Sequence, residues 1–139
     1  MLQYDNYIII NKGKYTGHIV QIKSILSHDL FCVYPAEGDS MEVYSDEIRF
    51  VELTWDILSK LKDPEYPGQV ATHLKTHEYE LHKKVDWVLD LRGKRFYLHG
   101  ILHGDASIWQ FGNLITIHYL HQLQNLVKIL NPEIDLTFQ

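Results

Sequence analysis

A single cysteine, Cys32, in a chain of 139 residues leaves no partner for an internal disulfide. Small domains of oxidising compartments usually carry several, so the expectation is a reducing cytoplasm. Its setting, Leu30-Phe31-Cys32-Val33, is that of a small buried hydrophobe rather than a reactive thiol. Long apolar runs are missing too, and no window approaches the ~20 residues that cross a bilayer. Met1-Leu2-Gln3-Tyr4-Asp5-Asn6 has no positive n-region, and Ile8-Ile9-Ile10 is too short for the apolar core of a secretory leader. A soluble, cytoplasmic protein without a membrane partner is expected. Positive charge is scarce: 13 Lys and Arg stand against 18 Asp and Glu, a net charge of −5. That disfavours binding nucleic acid through bulk charge, although it leaves room for a local basic patch. The chain also lacks a Gly-x-Ser-x-Gly elbow, a phosphate loop and a dinucleotide fingerprint. No catalytic residue and no cofactor is therefore assigned, and an enzyme is not expected.

What is present is ordinary for a folded domain. Hydrophobic residues make up 45% and charged residues 22%, with nine tyrosines and three tryptophans whose bulk rewards collapse. The length suits one domain, or two small lobes sharing a core.

Two rhythms divide the chain. Residues 7–51 read as a β-meander: Tyr7 to Ile10, Gly17 to Ile25, Leu30 to Tyr34, Met41 to Tyr44 and Ile48 to Val51, separated by Gly-, Asn- and Asp-bearing turns. The alternation in the second strand slips between Ile19 and Val20, as at a bulge or in a strand buried on both faces. Strands this short gain a core by curling, so residues 1–52 are expected to form an SH3-like or Tudor-like small β-barrel. Residues 53–139 are expected to hold a helix, a small antiparallel sheet and a covering C-terminal helix. Thr54 caps the first helix, whose Ile57, Leu58 and Leu61 share a face. Lys62-Asp63-Pro64-Glu65-Tyr66-Pro67-Gly68 breaks it and reads as a linker or mobile loop, and residues 69–76 show no period. Strands are expected at Tyr79 to His82, Val85 to Leu91, Arg95 to His99 and Ser107 to Phe111, with a hairpin turn at Arg92-Gly93-Lys94. From Ile115 to Leu130 the apolar residues Ile117, Leu120, Leu123, Val127 and Leu130 recur at helical spacing, with Thr116 as cap and Asn131-Pro132 as stop. The fold class is thus α+β.

Three groups of residues carry candidate chemistry. Tyr15, Phe31, Tyr34, Tyr44 and Phe50 are aromatics of the first half that could include a stacking surface; the first four are the candidates for a binding surface on the barrel face, although such rings also fill small barrels. Lys12, Lys14 and Lys23 there are outweighed by Glu37, Asp39, Glu42, Asp46 and Glu47. Histidines form the second group. His73 and His77 are four apart, and His99, His103 and Asp105 with His118 or His121 make a conceivable zinc or iron set. None of these spacings matches a strong ligand signature, so no metal is assigned. The third group is His121, Gln122, Gln124 and Asn125, crowded into five positions of the last helix. Asn125 lies at i+4 and Gln124 at i+3 from His121, and His121 and Asn125 are expected to anchor the helix by hydrogen bonds to strand ends or to the barrel.

Two strings resemble a known family. Ile48-Arg49-Phe50-Val51-Glu52-Leu53-Thr54-Trp55-Asp56-Ile57-Leu58 resembles its strand-to-helix junction, and Tyr119-Leu120-His121-Gln122-Leu123-Gln124-Asn125-Leu126 resembles its C-terminal helix, Tyr-x-His-Gln-Leu-Gln-Asn-Leu. These are short, uncharacterised bacterial proteins often associated with prophages and other mobile elements. The chain departs from them at Lys62-Asp63-Pro64, where they have Gly-Phe, and at Asn131-Pro132, where they have Thr-Gly. The resemblance implies architecture and context, and no mechanism. The resulting expectation is a non-enzymatic adaptor that binds a protein partner. The runner-up is a nucleic-acid-associated factor using the barrel face, and the third reading is a histidine-based metal enzyme.

Overall fold

The computed structural model describes residues 1–35, 38–104, 106–112 and 115–138. Ala36, Glu37, Asp105, Asn113, Leu114 and Gln139 lie outside the described residues, and with them the metal candidate Asp105. The fold is α+β, with two antiparallel five-stranded sheets and a C-terminal helix. Two compact units form: Met1–Val51 with Tyr119–Asn125, and Glu52–His118 with Leu126–Gln139. Among the described residues no helix is long and apolar enough to cross a membrane.

The first unit follows from alternation. Strands β1 (Tyr7–Ile10), β2 (Ile19–Ser27), β3 (Leu30–Val33), β4 (Met41–Tyr44) and β5 (Ile48–Phe50) pair antiparallel in the order β4-β3-β2-β1-β5. Ile8, Ile10, Val20, Ile22, Phe31, Val33 and Val43 form its buried core. The irregularity anticipated at Ile19 falls further on: Ile22 pairs Val33 and Ser24 pairs Cys32, leaving Lys23 as the extra residue. A 3-10 turn at Ser45–Glu47, fixed by Glu47 Oε1 accepting from Tyr44 N at 3.1 Å, joins β4 to β5. These strands are the two edges of the sheet, so one short turn joins opposite edges. Five flat strands would hold those edges ~19 Å apart, at ~4.8 Å per interval. Four residues of chain reach at most ~14 Å. The sheet must therefore curl, yet no ladder joins β4 to β5 among the described residues, so pairing does not close a barrel.

The second unit is a meander. Helix α1 (Trp55–Lys60) is capped by Thr54 Oγ1, which accepts from Ile57 N at 3.3 Å. Strands β6 (Ala71–Glu78), β7 (Lys83–Leu91), β8 (Lys94–His103), β9 (Ala106–Phe111) and β10 (Ile115–Ile117) pair in sequence order. Two expectations need correcting. Tyr79 to His82 is a tight turn, with Tyr79 N donating to His82 O at 2.9 Å, and the strand occupies residues 71–78 instead. As an edge strand with most residues exposed and a bulge at Leu74, it shows no alternation in the sequence. Ile115-Thr116-Ile117 is a strand paired with Trp109 to Phe111, not a first helical turn, because three β-branched residues suit a ladder better than a helix. Helix α2 (Leu120–Leu130) begins later, and Leu130 at the end of its apolar stripe is exposed. The backbone at Gly100 faces Trp109, whose ring a Cβ there would strike. Trp109 Nε1 and Ser107 Oγ both donate to Leu53 O, at 2.7 and 2.8 Å.

The stretch read as a linker is tied down. The β7–β8 turn is Arg92-Gly93 with φ of 54° and 96°, a two-residue hairpin whose first position suits Asn better than Arg. Arg92 stays there because its side chain, 12% exposed, meets Asp63, 7% exposed, through Nε at 2.8 Å and Nη2 at 3.2 Å. It also pairs with Glu65 at 3.1 Å and Glu133 at 3.5 Å and lies over the Tyr66 ring at 4.3 Å. The guanidinium hydrogen bond holds the Asp63 carboxyl below its usual range, against the opposing effect of burial. Removing the guanidinium leaves the nearly buried Asp63 carboxylate without its cation, a larger loss than the left-handed backbone strain it relieves. Arg92→Asn should therefore destabilise despite its better turn geometry. Arg92→Ala should lower the urea midpoint as well; an unchanged midpoint in both variants would refute the anchoring role.

Candidate functional site

The amide string of α2 proves to be a clamp on the chain's own first residues. Gln124 Oε1 accepts from Tyr7 N at 3.1 Å, and Gln124 Nε2 donates to Asp5 O at 3.0 Å. Asn125 Oδ1 accepts from Asn6 Nδ2 and Asn125 Nδ2 donates to Met1 O, both at 2.8 Å. Gln122 faces the helix start, where its Oε1 accepts from Tyr119 N at 3.0 Å, half of a capping box. His121 differs from the other three. It is 4% exposed, its Nδ1 has no hydrogen-bond partner among the described residues, and its ring lies 4.7 Å from Phe50 and 5.8 Å from Tyr119. It fills space where anchoring by hydrogen bond was expected. Burial, aided by the positive amino terminus, pushes its pKa down to about 4.

The four aromatic candidates do not make one surface. Phe31 pairs with Val43 on the inner side of the sheet and is buried in its core. Tyr15 is half-buried against that core, with its hydroxyl next to Gly38. Tyr34 and Tyr44 are exposed, but the register Leu30↔Tyr44 puts them four strand residues apart, ~13 Å. Acidic Asp39, Glu42 and Asp46 occupy neighbouring positions of the chain.

The histidines are dispersed. His73 and His77 lie on β6, not on a helix; His73 pairs opposite Trp87, and after the bulge His77 pairs opposite Lys84, on the other side of the sheet. His73 Nε2 lies 2.7 Å from Thr76 Oγ1, and its ring is 4.5 Å from Trp55. Among the described residues no cluster of three or more His, Cys, Asp or Glu side chains is placed to hold a metal ion.

One surface does bring chemistry together: the water-facing side of β7–β8–β9. Burial of Val85, Trp87, Leu89, Leu98 and Trp109 turns the alternate residues outward. Register lines up Asp86, His99 and Gln110 in one row and Lys84, Ile101 and Ile108 in the next. A shallow depression of about 240 Å³ lies between the rows. His99 Nδ1 lies 2.6 Å from Asp86 Oδ1, and the Tyr97 ring is nearly parallel to that of His99 at 6.4 Å. Tyr97, Ile101 and Ile108 are 54%, 43% and 45% exposed at the centre of the sheet. The sequence carried a signal for this. Continuing the Arg95, Tyr97, His99 alternation past His99 puts Ile101 on the wet side, where a polar residue belongs.

Comparison with protein-family models, with curated proteins and with solved structures finds no match.

Two outcomes follow from the clamp. Asn125→Ala strands Nδ2 of the buried Asn6, while Met1 O returns to water, and should cost about 1–3 kcal/mol in thermal or urea unfolding; wild-type stability would remove the clamp's structural role. His121 is neutral in the folded protein and accepts a proton more readily once unfolded. Its contribution is complete above pH ~6.5 and declines as pH falls towards 4, up to about 3 kcal/mol. Unfolding free energy of His121→Leu should show a shallower decline from pH 7 to 4 than wild type, and parallel curves would contradict it.

Proposed function

We propose that this chain is a non-enzymatic protein-binding module that docks its partner on the outer face of β7–β8–β9. The observation that carries this reading is the exposed pair Ile101 and Ile108, directly opposite each other on neighbouring strands, with Tyr97 on the same side beyond His99, ~13 Å along the strand. An antiparallel sheet with one wet side alternates apolar-in with polar-out. Aliphatic side chains at the centre of the wet side cost solvation in the free protein and gain it back on association. Asp86, His99, Gln110 and Lys84 around them supply a polar rim. The first unit adds a curled sheet in the strand order β4-β3-β2-β1-β5, which supports an SH3-like open barrel. The resemblance of the Tyr119 to Leu126 string supports a bacterial mobile-element adaptor acting in the cytoplasm.

A nucleic-acid factor is the second reading. Tyr97 offers a stacking ring on the same face, but a chain of net charge −5 offers little of the long-range attraction such binding uses.

A photo-crosslinking residue in place of Tyr97, expressed in bacterial cells, should give a discrete protein adduct that disappears in the Ile101→Ser, Ile108→Ser background. The same group in place of Tyr34 should give none. The double variant should fold with a stability loss below about 1 kcal/mol, since both positions are partly solvated. Adducts that survive the double substitution, or form equally at position 34, would exclude this face.

A further inference from the structure

We infer that the partner segment is acidic, with one apolar side chain seated between the two rows of the β7–β8–β9 face and carboxylates against Lys84 and Lys75. This rests on the docking reading above and specifies the chemistry of the occupant.

By register the water-facing side of β6, β7 and β8 carries two acids, Asp86 and Asp90, and three cations, Lys75 and Lys84 near the depression and Arg95 opposite Asp90. Both acids are engaged: Asp86 with His99 at 2.6 Å, and Asp90 Oδ1 accepting from Gly93 N at 2.8 Å. None of the three cations forms an ion pair with a described residue. Among the described residues Lys84 meets the ring of Tyr79, 5.7 Å from its Nζ. Lys75 pairs opposite Asp86 in the ladder, yet their side chains form no ion pair, and Asp86 Oδ1 is hydrogen-bonded to the imidazole on its other side. In a chain with 18 acidic residues, Lys84 beside the exposed apolar pair and Lys75 diagonal to it leave two positive groups without an ion-pair partner among the described residues, and their counter-charge comes from outside.

Geometry sets the occupant's shape. Lys84 borders the depression and lines up with Ile101 and Ile108, so a carboxylate meeting it lies beside the apolar contact. Lys75 is a diagonal neighbour of Lys84 on β6, ~7–8 Å away between Cα atoms. Two carboxylates spaced by one or two residues of extended chain match that separation. The depression of about 240 Å³ holds one leucine or phenylalanine side chain rather than a folded surface.

The test uses the full chain and fluorescence anisotropy with three labelled probes at low salt: a decapeptide with central leucine flanked by glutamates, the same peptide flanked by lysines, and a ten-nucleotide single-stranded DNA. The glutamate peptide should bind about tenfold more tightly than the lysine peptide and weaken steeply with salt. Lys84→Glu should reverse that preference. Ile101→Ser with Ile108→Ser should abolish binding of both peptides. Equal affinity for the two peptides, an unaltered preference in Lys84→Glu, or tighter binding of the oligonucleotide would each overturn the inference. If crosslinks from position 97 persist while the charge preference is absent, this inference alone fails. If those crosslinks are also absent, the docking reading fails with it.

Discussion

The contact between the Trp109 ring and the bare backbone of Gly100 governs the second unit, because it fixes which side of the β7–β8–β9 ladder is dry. Strand residues alternate, so one buried position sets the direction of all others on that strand. With Gly100 beneath Trp109, Leu98 turns inward beside it, and Tyr97, His99 and Ile101 can only face water. Trp109 is held in turn through its Nε1 on the Leu53 carbonyl, which also receives the Ser107 hydroxyl. A slip of one residue would bury His99 and Asp86 and expose Leu98 and Trp87, at a cost in solvation that no rim contact offsets. The exposed isoleucines are therefore a consequence of a register too costly to change.

In the first unit the comparable constraint is made of amides. Gln124 and Asn125 each use an oxygen and a nitrogen on groups of residues 1–7, so each amide serves as both donor and acceptor. Three of the partners are backbone atoms, which makes the clamp largely indifferent to the side chains it holds. This gives the most recognisable string of the chain a structural purpose. It is spent on closing the fold, and the surface with unpaired groups lies elsewhere.

Several elements were legible from residue order alone, for a clear reason. Strands β1 to β5, β7, β9 and helix α1 all have periodic burial or a cap that leaves a mark in the sequence, as Thr54 does. Strand β6 left none, because an edge strand exposed on both sides has no apolar period to read. The start of α2 was misplaced because Ile115 and Ile117 fit helical spacing as well as alternation, and only the pairing with Phe111 and Trp109 decides between them. The aromatic candidates failed similarly. Phe31 and Tyr34 are alike in composition, and only the strand parity that buries Val33 separates a core ring from a solvated one. The depression near Lys84 depends on a cross-strand register that no single strand encodes. Asp63 and Arg92 likewise meet across 29 positions of sequence.

The bulge in β6 has a colloidal consequence. An eight-residue strand at a sheet margin offers unsatisfied backbone groups to any passing chain, the starting point of lateral polymerisation. The extra residue at Leu74 breaks the repeat of that margin, and the lysine beside it adds a charge that a stacking copy would have to desolvate. The molecule can thus display sticky isoleucines on one side while resisting growth into fibrils along the other.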